Sequence, residues 1–86
     1  MALPQPVQFP HIVRDPRILG GEPTVKGTRI SVRAIVLFLR YNGDLEHIFE
    51  AFPRLTQADV DQALAFYQAN QAEIERHIRE NEDDAE

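Results

Sequence analysis

The chain has 86 residues, enough for one small domain with a modest core, and partner chains often contribute to the stability of such domains. Its composition, 43% hydrophobic and 27% charged, is that of an ordinary globular chain, and no apolar stretch approaches the roughly 20 residues that cross a bilayer. There is no cysteine, which excludes disulfides and thiolate chemistry, and the N-terminus has no export signal, so we expect a cytoplasmic protein.

The formal net charge of −5 argues against a nucleic-acid partner, but the charge is unevenly distributed. Residues 1–43 carry six basic and two acidic side chains, whereas residues 44–86 carry three basic and twelve acidic ones. This asymmetry suggests two partners of opposite charge. A solvated acidic helix face and tail explains the charge distribution equally well.

The N-terminal third is predicted to lack long helices. Residues 1–11 contain three prolines and no periodic pattern, which predicts an extended arm. Residues 12–30 alternate short apolar pairs with proline and glycine, a pattern typical of one or two short hairpins. Lys26-Gly27 supplies a tight turn, because glycine tolerates positive φ. We predict a β-ribbon that is marginal alone and leans on helices or on a second subunit.

Three helices are predicted after the ribbon. Ser31 is a suitable N-cap for the first, and Gly43 is a suitable left-handed residue to end it. Thr56 and Asp59 form a near capping box that begins the third. The predicted helices cover residues 31–42, 44–52 and 56–80.

The C-terminal helix is predicted to be long and unbroken over 56–80, and its second half is expected to project from the domain toward a partner. Residues 81–86 are predicted to form an acidic disordered tail. The expected fold class is therefore mainly α. Residues 12–80 form a single three-helix, helix-turn-helix domain with a short N-terminal ribbon and a long C-terminal helix.

The first predicted helix is apolar on nearly all sides. Such a helix has to be buried all round, and a domain this small can hardly surround it. We therefore predict that part of this helix forms a homodimer interface. The interface residues are predicted to be Val36, Leu37, Phe38 and Tyr41.

The second and third helices have the proportions of a helix-turn-helix, in which the start of the later helix faces the major groove. Amides there can pair with adenine edges, but Asp59 and Asp61 repel phosphates. The phosphate contacts then come mainly from the ribbon. The predicted DNA contacts are Arg14, Arg17, Lys26, Arg29, Arg54, Gln57 and Gln62. A helical bundle without a DNA role, whose cations only confer solubility, is the open alternative.

No pattern indicates catalysis. The stretch around Lys26-Gly27-Thr28 has the wrong order for a phosphate-binding loop. His11, His47 and His77 lie too far apart for metal-ligand spacing. We expect a protein that is not an enzyme and that has no catalytic residues, no metal site and no cofactor.

The stretch ILGGEPTVKGTRISV, residues 18–32, carries a resemblance to a known family. Further matching positions are Gly43, Ile48, Phe52-Pro53, Leu55-Thr56, Asp59-Val60, Ala63-Leu64 and Phe66-Tyr67. Over about residues 10–80 the chain resembles the domain of unknown function 433, a group of small bacterial and archaeal proteins.

Members of that family are often encoded beside a PIN-like nuclease toxin and are treated as VapB-type antitoxins. The resemblance implies a helix-turn-helix fold, dimerisation, binding to operator DNA with autoregulation, and neutralisation of a ribonuclease toxin. The acidic C-terminal segment would be steered to a basic toxin groove, and an arginine on it would enter the acidic metal site. The predicted toxin-binding residues are Glu73, Arg76, Arg79 and Glu80. The alternatives are a stand-alone transcription regulator and a protein-binding adaptor that does not bind DNA.

Overall fold

A computed structural model of the chain describes residues 8–84, which form a mainly helical domain with a two-stranded antiparallel sheet. The predicted fold class is therefore confirmed. The elements are β1 (Ile12–Val13), β2 (Thr24–Val25), α1 (Val32–Asn42), α2 (Ile48–Ala51), α3 (Gln57–Ala69) and α4 (Gln71–Asp84). The predictions for residues 1–7 and 85–86 lie outside the described part of the chain.

The ribbon is short and tightly folded. Ile12 pairs with Val25 and Val13 pairs with Thr24, and Thr24 also forms an isolated bridge to Ser31. Gly27 makes the turn after β2 with φ of +81°, a conformation that glycine adopts without steric cost. The predicted Lys26-Gly27 turn is therefore confirmed.

The capping residues act as the sequence predicts. The Ser31 hydroxyl accepts a hydrogen bond from the Ala34 amide at 2.9 Å, and Gly43 ends α1 in the left-handed conformation. The second predicted helix over 44–52 is shorter, with one 3₁₀ turn at Leu45–His47 followed by α2.

The helix-turn-helix connection is well defined. Thr56 and Asp59 form a complete capping box at the start of α3, with both reciprocal hydrogen bonds present. Leu55, in the connection between α2 and α3, is buried in the core. The entry angle of α3 is therefore set by local sequence.

The prediction of one unbroken helix over 56–80 is wrong. Asn70 leaves the helical conformation, with φ of −136° and ψ of 38°, and its side-chain amide donates to the Phe66 carbonyl at 3.0 Å. Such a local hydrogen bond competes with helix continuation. A new helix, α4, begins at Gln71 and runs to Asp84, so the predicted tail is also wrong for residues 81–84, which are helical.

The expectation that the C-terminal half projects from the domain is wrong as well. Ile74 and Ile78 on α4 are only 0% and 3% exposed, because the break at Asn70 lets the helix turn back against α1 and α3. They join the core residues Ile12, Val25, Val32, Ile35, Val36, Ile48, Leu55, Val60, Ala63 and Phe66. None of the helices within residues 8–84 has the length and apolar character that a membrane crossing requires.

Candidate nucleic-acid interface

The register of the ribbon gives it two distinct ends. Because Ile12 faces Val25, one end holds His11 and Lys26, and the Lys26 amide donates to the His11 carbonyl at 2.7 Å. Arg14 lies just beyond β1 at the other end. The first end, with His11, contacts the start of α3, and the second end, with Arg14, contacts α4.

At the first end, His11 joins the ribbon to the start of α3. Its Nδ1 lies 2.7 Å from Oδ1 of Asp59, the capping-box residue. Burial raises the pKa of Asp59, but the hydrogen bonds from His11 and from Thr56 outweigh it, so this pKa lies below its ordinary value. The carboxylate that the sequence marks as repelling phosphates is therefore ionised but bound to internal partners.

The same end carries a cluster of basic residues that we call the basic turn, defined as residues 26–29 together with Arg54. Nη2 of Arg54 donates to the Gly27 carbonyl at 3.1 Å, which joins the helix-turn-helix connection to the ribbon turn. Lys26, Arg29 and Arg54 are exposed. Within the described part of the chain, none of them forms an ion pair with a carboxylate.

At the second end, the ribbon cation is neutralised. Arg14 makes a two-pronged salt bridge to Glu73 of α4, with Nη2 to Oε1 at 2.9 Å, and its guanidinium lies 5.4 Å from the centre of the Phe66 ring. The hydrogen bonds from Arg14 hold the pKa of Glu73 below its ordinary value. Glu73 also lies 3.5 Å from His77 Nε2. Arg14 is thus part of the packing of α4.

Other cations within residues 1–43, which we call the leading half, have internal partners too. Arg40 binds Glu75 of α4 at 2.5 Å, and the pKa of Glu75 is lowered first by Arg40 and then by the Tyr67 hydroxyl. Two further pairs, Arg33 with Glu22 and Arg17 with Asp15, both lie at 3.0 Å. The leading half therefore keeps far less available positive charge than its sequence suggests.

The glutamines predicted to contact bases have internal constraints. Gln57 is exposed at the start of α3, and its Nε2 donates to Asp61 Oδ1 at 2.9 Å. Gln62 is half-buried, and its side-chain oxygen is buried without a hydrogen-bond partner in the described residues. Gln57 lies beside the basic turn, whereas Gln62 does not present its oxygen to solvent.

The four residues predicted for the dimer interface do not share one exposed face. Val36 is in the core, and Leu37 and Phe38 are half-buried, with the Phe38 ring packed edge-on against Phe52 at 5.9 Å. Tyr41 is 71% exposed. One chain thus covers most of α1 itself, because α3 and α4 both pack on it.

The four residues predicted to bind a toxin divide between two faces of α4. Glu73 faces inward to Arg14. The other three are exposed, with Arg76 and Glu80 in a salt bridge of 3.2 Å, one helical turn apart, and Arg79 nearby in sequence. The outward face within residues 71–81 is therefore not acidic.

The contact of His11 with Asp59 was not predicted from the sequence, where His11 was considered only as a metal ligand. The bond between His11 and Asp59 joins residues 48 positions apart, and neither residue has a local pattern that would reveal the other. The capping box was a usable signal for Asp59, since a capping carboxylate is fixed in place and available to a second partner.

These features define a small helix-turn-helix domain with a basic turn beside the start of its second helix. The model of the family described as Protein of unknown function (DUF433) matches residues 12–67, and the chain belongs to this family. A crystal structure of a DUF433 member protein from Anabaena variabilis ATCC 29413, at 2.00 Å resolution, is similar to the chain with a TM-score of 0.77 and 28% identity. The match covers 84% of this chain and 70% of that one. No curated protein matches the chain significantly.

Proposed function

We propose that the protein is a non-enzymatic, cytoplasmic antitoxin that binds operator DNA as a homodimer and neutralises a PIN-like ribonuclease toxin. The observation that carries the DNA half is the hydrogen bond between Arg54 and the Gly27 carbonyl. It joins the ribbon turn that carries Lys26 and Arg29 to Arg54, which lies two residues before the capping box of α3, and none of these three cations pairs with a carboxylate within the described residues. Helix-turn-helix proteins approach the major groove with this part of the fold.

The electrostatics near α3 support this role. Asp59 is bound to His11 and to the capping-box amide, so its charge is partly compensated within the protein. The carboxylate of Asp61 still accepts a hydrogen bond from Gln57 at 2.9 Å, so attraction for phosphate on this side of the domain comes from Lys26, Arg29 and Arg54. Cations in such a position make the phosphate contacts that fix the register of a protein on DNA.

The toxin half rests on the family resemblance and on the exposed face of α4. Arg76 and Arg79 project from a helix that is anchored to the core through Ile74 and Ile78. An arginine held on a rigid helix suits insertion into an acidic metal site, because less backbone entropy is lost on binding. Glu73 contributes indirectly, by holding α4 in place through Arg14.

The proposed homodimer interface centres on the exposed C-terminal end of α1. Tyr41 is 71% exposed and Leu45, just after the helix, is 49% exposed. Large exposed apolar side chains close together in sequence suit a protein interface. We propose that a second copy covers them.

One observation favours the alternative of a stand-alone transcription regulator. The packing of α4 on α1 and α3 gives this helix a structural role that needs no toxin. Deleting residues 72–86 would not separate the two roles, since it removes Ile74 and Ile78 from the core. Substitutions on the exposed face of α4 are therefore the appropriate test.

Two matched charge reversals test the proposal. The protein is co-expressed with the product of the adjacent reading frame, and growth rescue, co-purification and gel shifts on its own upstream DNA are measured. We expect R76E/R79E to lose rescue and co-purification while still binding DNA. K26E/R29E, with the same change in net charge, should show the reverse.

Each failure has a distinct meaning. Rescue and co-purification by R76E/R79E at the wild-type level would contradict toxin binding through this face and favour the stand-alone regulator. Wild-type protein that shifts no DNA at low salt would contradict the proposed DNA binding. DNA binding by K26E/R29E at the wild-type level would place any DNA surface elsewhere.

A further inference from the structure

We propose that the basic turn is a binding site for the phosphodiester backbone of duplex DNA that is insensitive to base sequence. This site rests on the proposed DNA-binding function and specifies how that function is carried out. The ligand groups are backbone phosphates, and the protein groups are the ammonium of Lys26 and the guanidiniums of Arg29 and Arg54.

The cations of the basic turn are available to an external anion, whereas most other arginines of the N-terminal half are not. Arg14, Arg17, Arg33 and Arg40 each donate to a carboxylate of the same chain, at distances that hold the guanidinium in place. The cations of the basic turn have no such partner in the described residues. A cation already paired with a carboxylate gains little from a phosphate, whereas an unpaired one displaces only water and counterions.

The ribbon turn that carries Lys26 and Arg29 is held rigid by hydrogen bonds of Thr28. The Thr28 amide and hydroxyl both donate to the Val25 carbonyl, at 3.0 Å and 2.9 Å, and the Thr28 hydroxyl accepts from the Ile30 amide at 3.0 Å. Thr28 is buried, so these bonds are shielded from water. The turn is therefore ordered before any ligand arrives, which lowers the entropy lost on binding.

Arg54 is fixed in position and keeps most of its hydrogen-bond donors for a ligand. Its one hydrogen bond among the described residues, to the Gly27 carbonyl, uses one of five guanidinium N–H donors and fixes the position of the group. The remaining donors are free to form charge-assisted bonds to phosphate oxygens. Arg54 thus links the helix-turn-helix connection to the ribbon turn, so that both can contact the phosphates of one DNA strand.

The neighbouring groups explain why the ligand is the backbone and not a base. Direct base contacts at the start of α3 would need free amide groups. The side-chain nitrogen of Gln57 donates to Asp61, which holds the amide against the protein's own helix, and the Gln62 oxygen is buried. The basic turn therefore supplies affinity that is the same for any base sequence.

A salt series on two duplexes tests the site. Affinity is measured from 50 to 200 mM salt on the protein's own upstream DNA and on a scrambled duplex of equal length. We expect K26A, R29A and R54A each to lower the slope of log affinity against log salt by about one unit per protomer, equally on both duplexes. A one-unit slope corresponds to about a fourfold affinity change over this range.

The matched control is R76A, which removes one exposed cation from α4, outside the basic turn. It should leave the slope unchanged. Because R54A also removes the link to Gly27, R54K is included to keep the charge, and thermal unfolding checks that each variant is folded. Lys26 and Arg29 have exposed side chains, so their variants should melt at the wild-type temperature.

Four results would overturn the site. The wild-type slope could persist in K26A, R29A and R54A, which would leave DNA binding itself intact. The variants could change discrimination between the duplexes without changing the slope, which would indicate base contacts. R76A could lower the slope equally, which would indicate a non-local charge effect. Wild-type protein could bind neither duplex, which would remove the proposed function as well.

Discussion

The two ends of the ribbon each carry a basic residue, Lys26 at one and Arg14 at the other, and they reach opposite electrostatic states. At the Lys26 end, the cations point to solvent and Arg54 joins them from the helix-turn-helix connection. At the Arg14 end, α4 brings Glu73 against the guanidinium, and the same helix brings Glu75 to Arg40. The acidic helix thus neutralises one part of the basic half and leaves the other part available.

This difference shows that charge counted along a sequence does not predict charge on a surface. The leading half is basic and residues 44–86, the trailing half, are acidic, which suggests two separate partners. In the folded chain the two halves are partly each other's partners, since Glu73 and Glu75 face inward. What remains for external ligands is a smaller site that the residue totals do not indicate.

The largest test of this comparison concerns the anchoring of α4. Ile74→Ala removes a fully buried side chain and should lower the free energy of unfolding by about 2–5 kcal/mol. Urea unfolding followed by circular dichroism measures it. Arg76→Ala, on the exposed face of the same helix, is the control, with an expected change within about 0.5 kcal/mol. Equal small effects from both would mean that α4 is not packed on the domain.

A smaller effect is expected from the turn at the Lys26 end. Gly27 has φ of +81°, and a Cβ there would meet no atom within 4 Å, so the cost of alanine is purely conformational. Gly27→Ala should lower the free energy of unfolding by about 1–2 kcal/mol. Lys26→Ala, one residue earlier, should have almost no effect on stability. A neutral G27A would show that the turn is not rigid.

The Arg14 end is tested by a double-mutant cycle. Arg14 and Glu73 are partly shielded and make a two-pronged contact, so their coupling should reach about 1 kcal/mol, the upper range for such pairs. The cycle for Arg76 and Glu80, which are more exposed and one helical turn apart, should give about 0.3–0.5 kcal/mol. Coupling in the first cycle no larger than in the second would contradict the neutralisation of Arg14 by α4.

The smallest expected effect is a pH dependence of stability. The folded chain lowers the pKa of Asp59, Glu73 and Glu75, so their ionised forms stabilise it. This stability is present above their unfolded pKa of about 4 and is lost as the pH falls through the lower folded values. Melting temperature from pH 7 to pH 2 measures it.

Glu73→Gln should flatten part of the acid-side decline, because its carboxylate no longer titrates. Glu50→Gln, at an exposed glutamate of α2 with no ion pair in the described residues, should leave the profile unchanged. A profile for E73Q that follows the wild type would contradict the assigned role of Arg14.

Local signals in the sequence were reliable where a few adjacent residues decide the conformation. Ser31 and Gly43 mark the ends of α1, and Thr56 with Asp59 marks the start of α3, as the structure confirms. These devices depend on hydrogen bonds between residues three or four apart and on the backbone freedom of glycine. They are therefore visible without knowledge of the rest of the chain.

The break at Asn70 shows where such reasoning fails. No proline or glycine marks it, and the apolar spacing continues through it. The two possible outcomes, one long helix or two packed ones, differ in whether Ile74 and Ile78 reach the core. Whether these two side chains are buried depends on residues far away in the sequence, and the periodicity of a helix carries no information about them.

The candidate site divides in the same way. The sequence identified Lys26, Arg29 and Arg54 as cations suited to phosphate, but it ranked them with Arg14 and Arg17. Only the contacts of the folded chain separate the unpaired cations from the paired ones. Likewise, His11 became relevant only when the fold placed it against Asp59.

The sequence by itself determined the helical class of the domain, the helix-turn-helix connection, the glycine turn and the family. Short-range hydrogen bonding and backbone sterics specify all of these, apart from the family, which rests on matching residues. The tertiary structure alone decided the direction of α4 and the cations that it neutralises. The physical reason is that burial and ion pairing depend on distances between residues far apart in the chain, and only the packed core sets those distances.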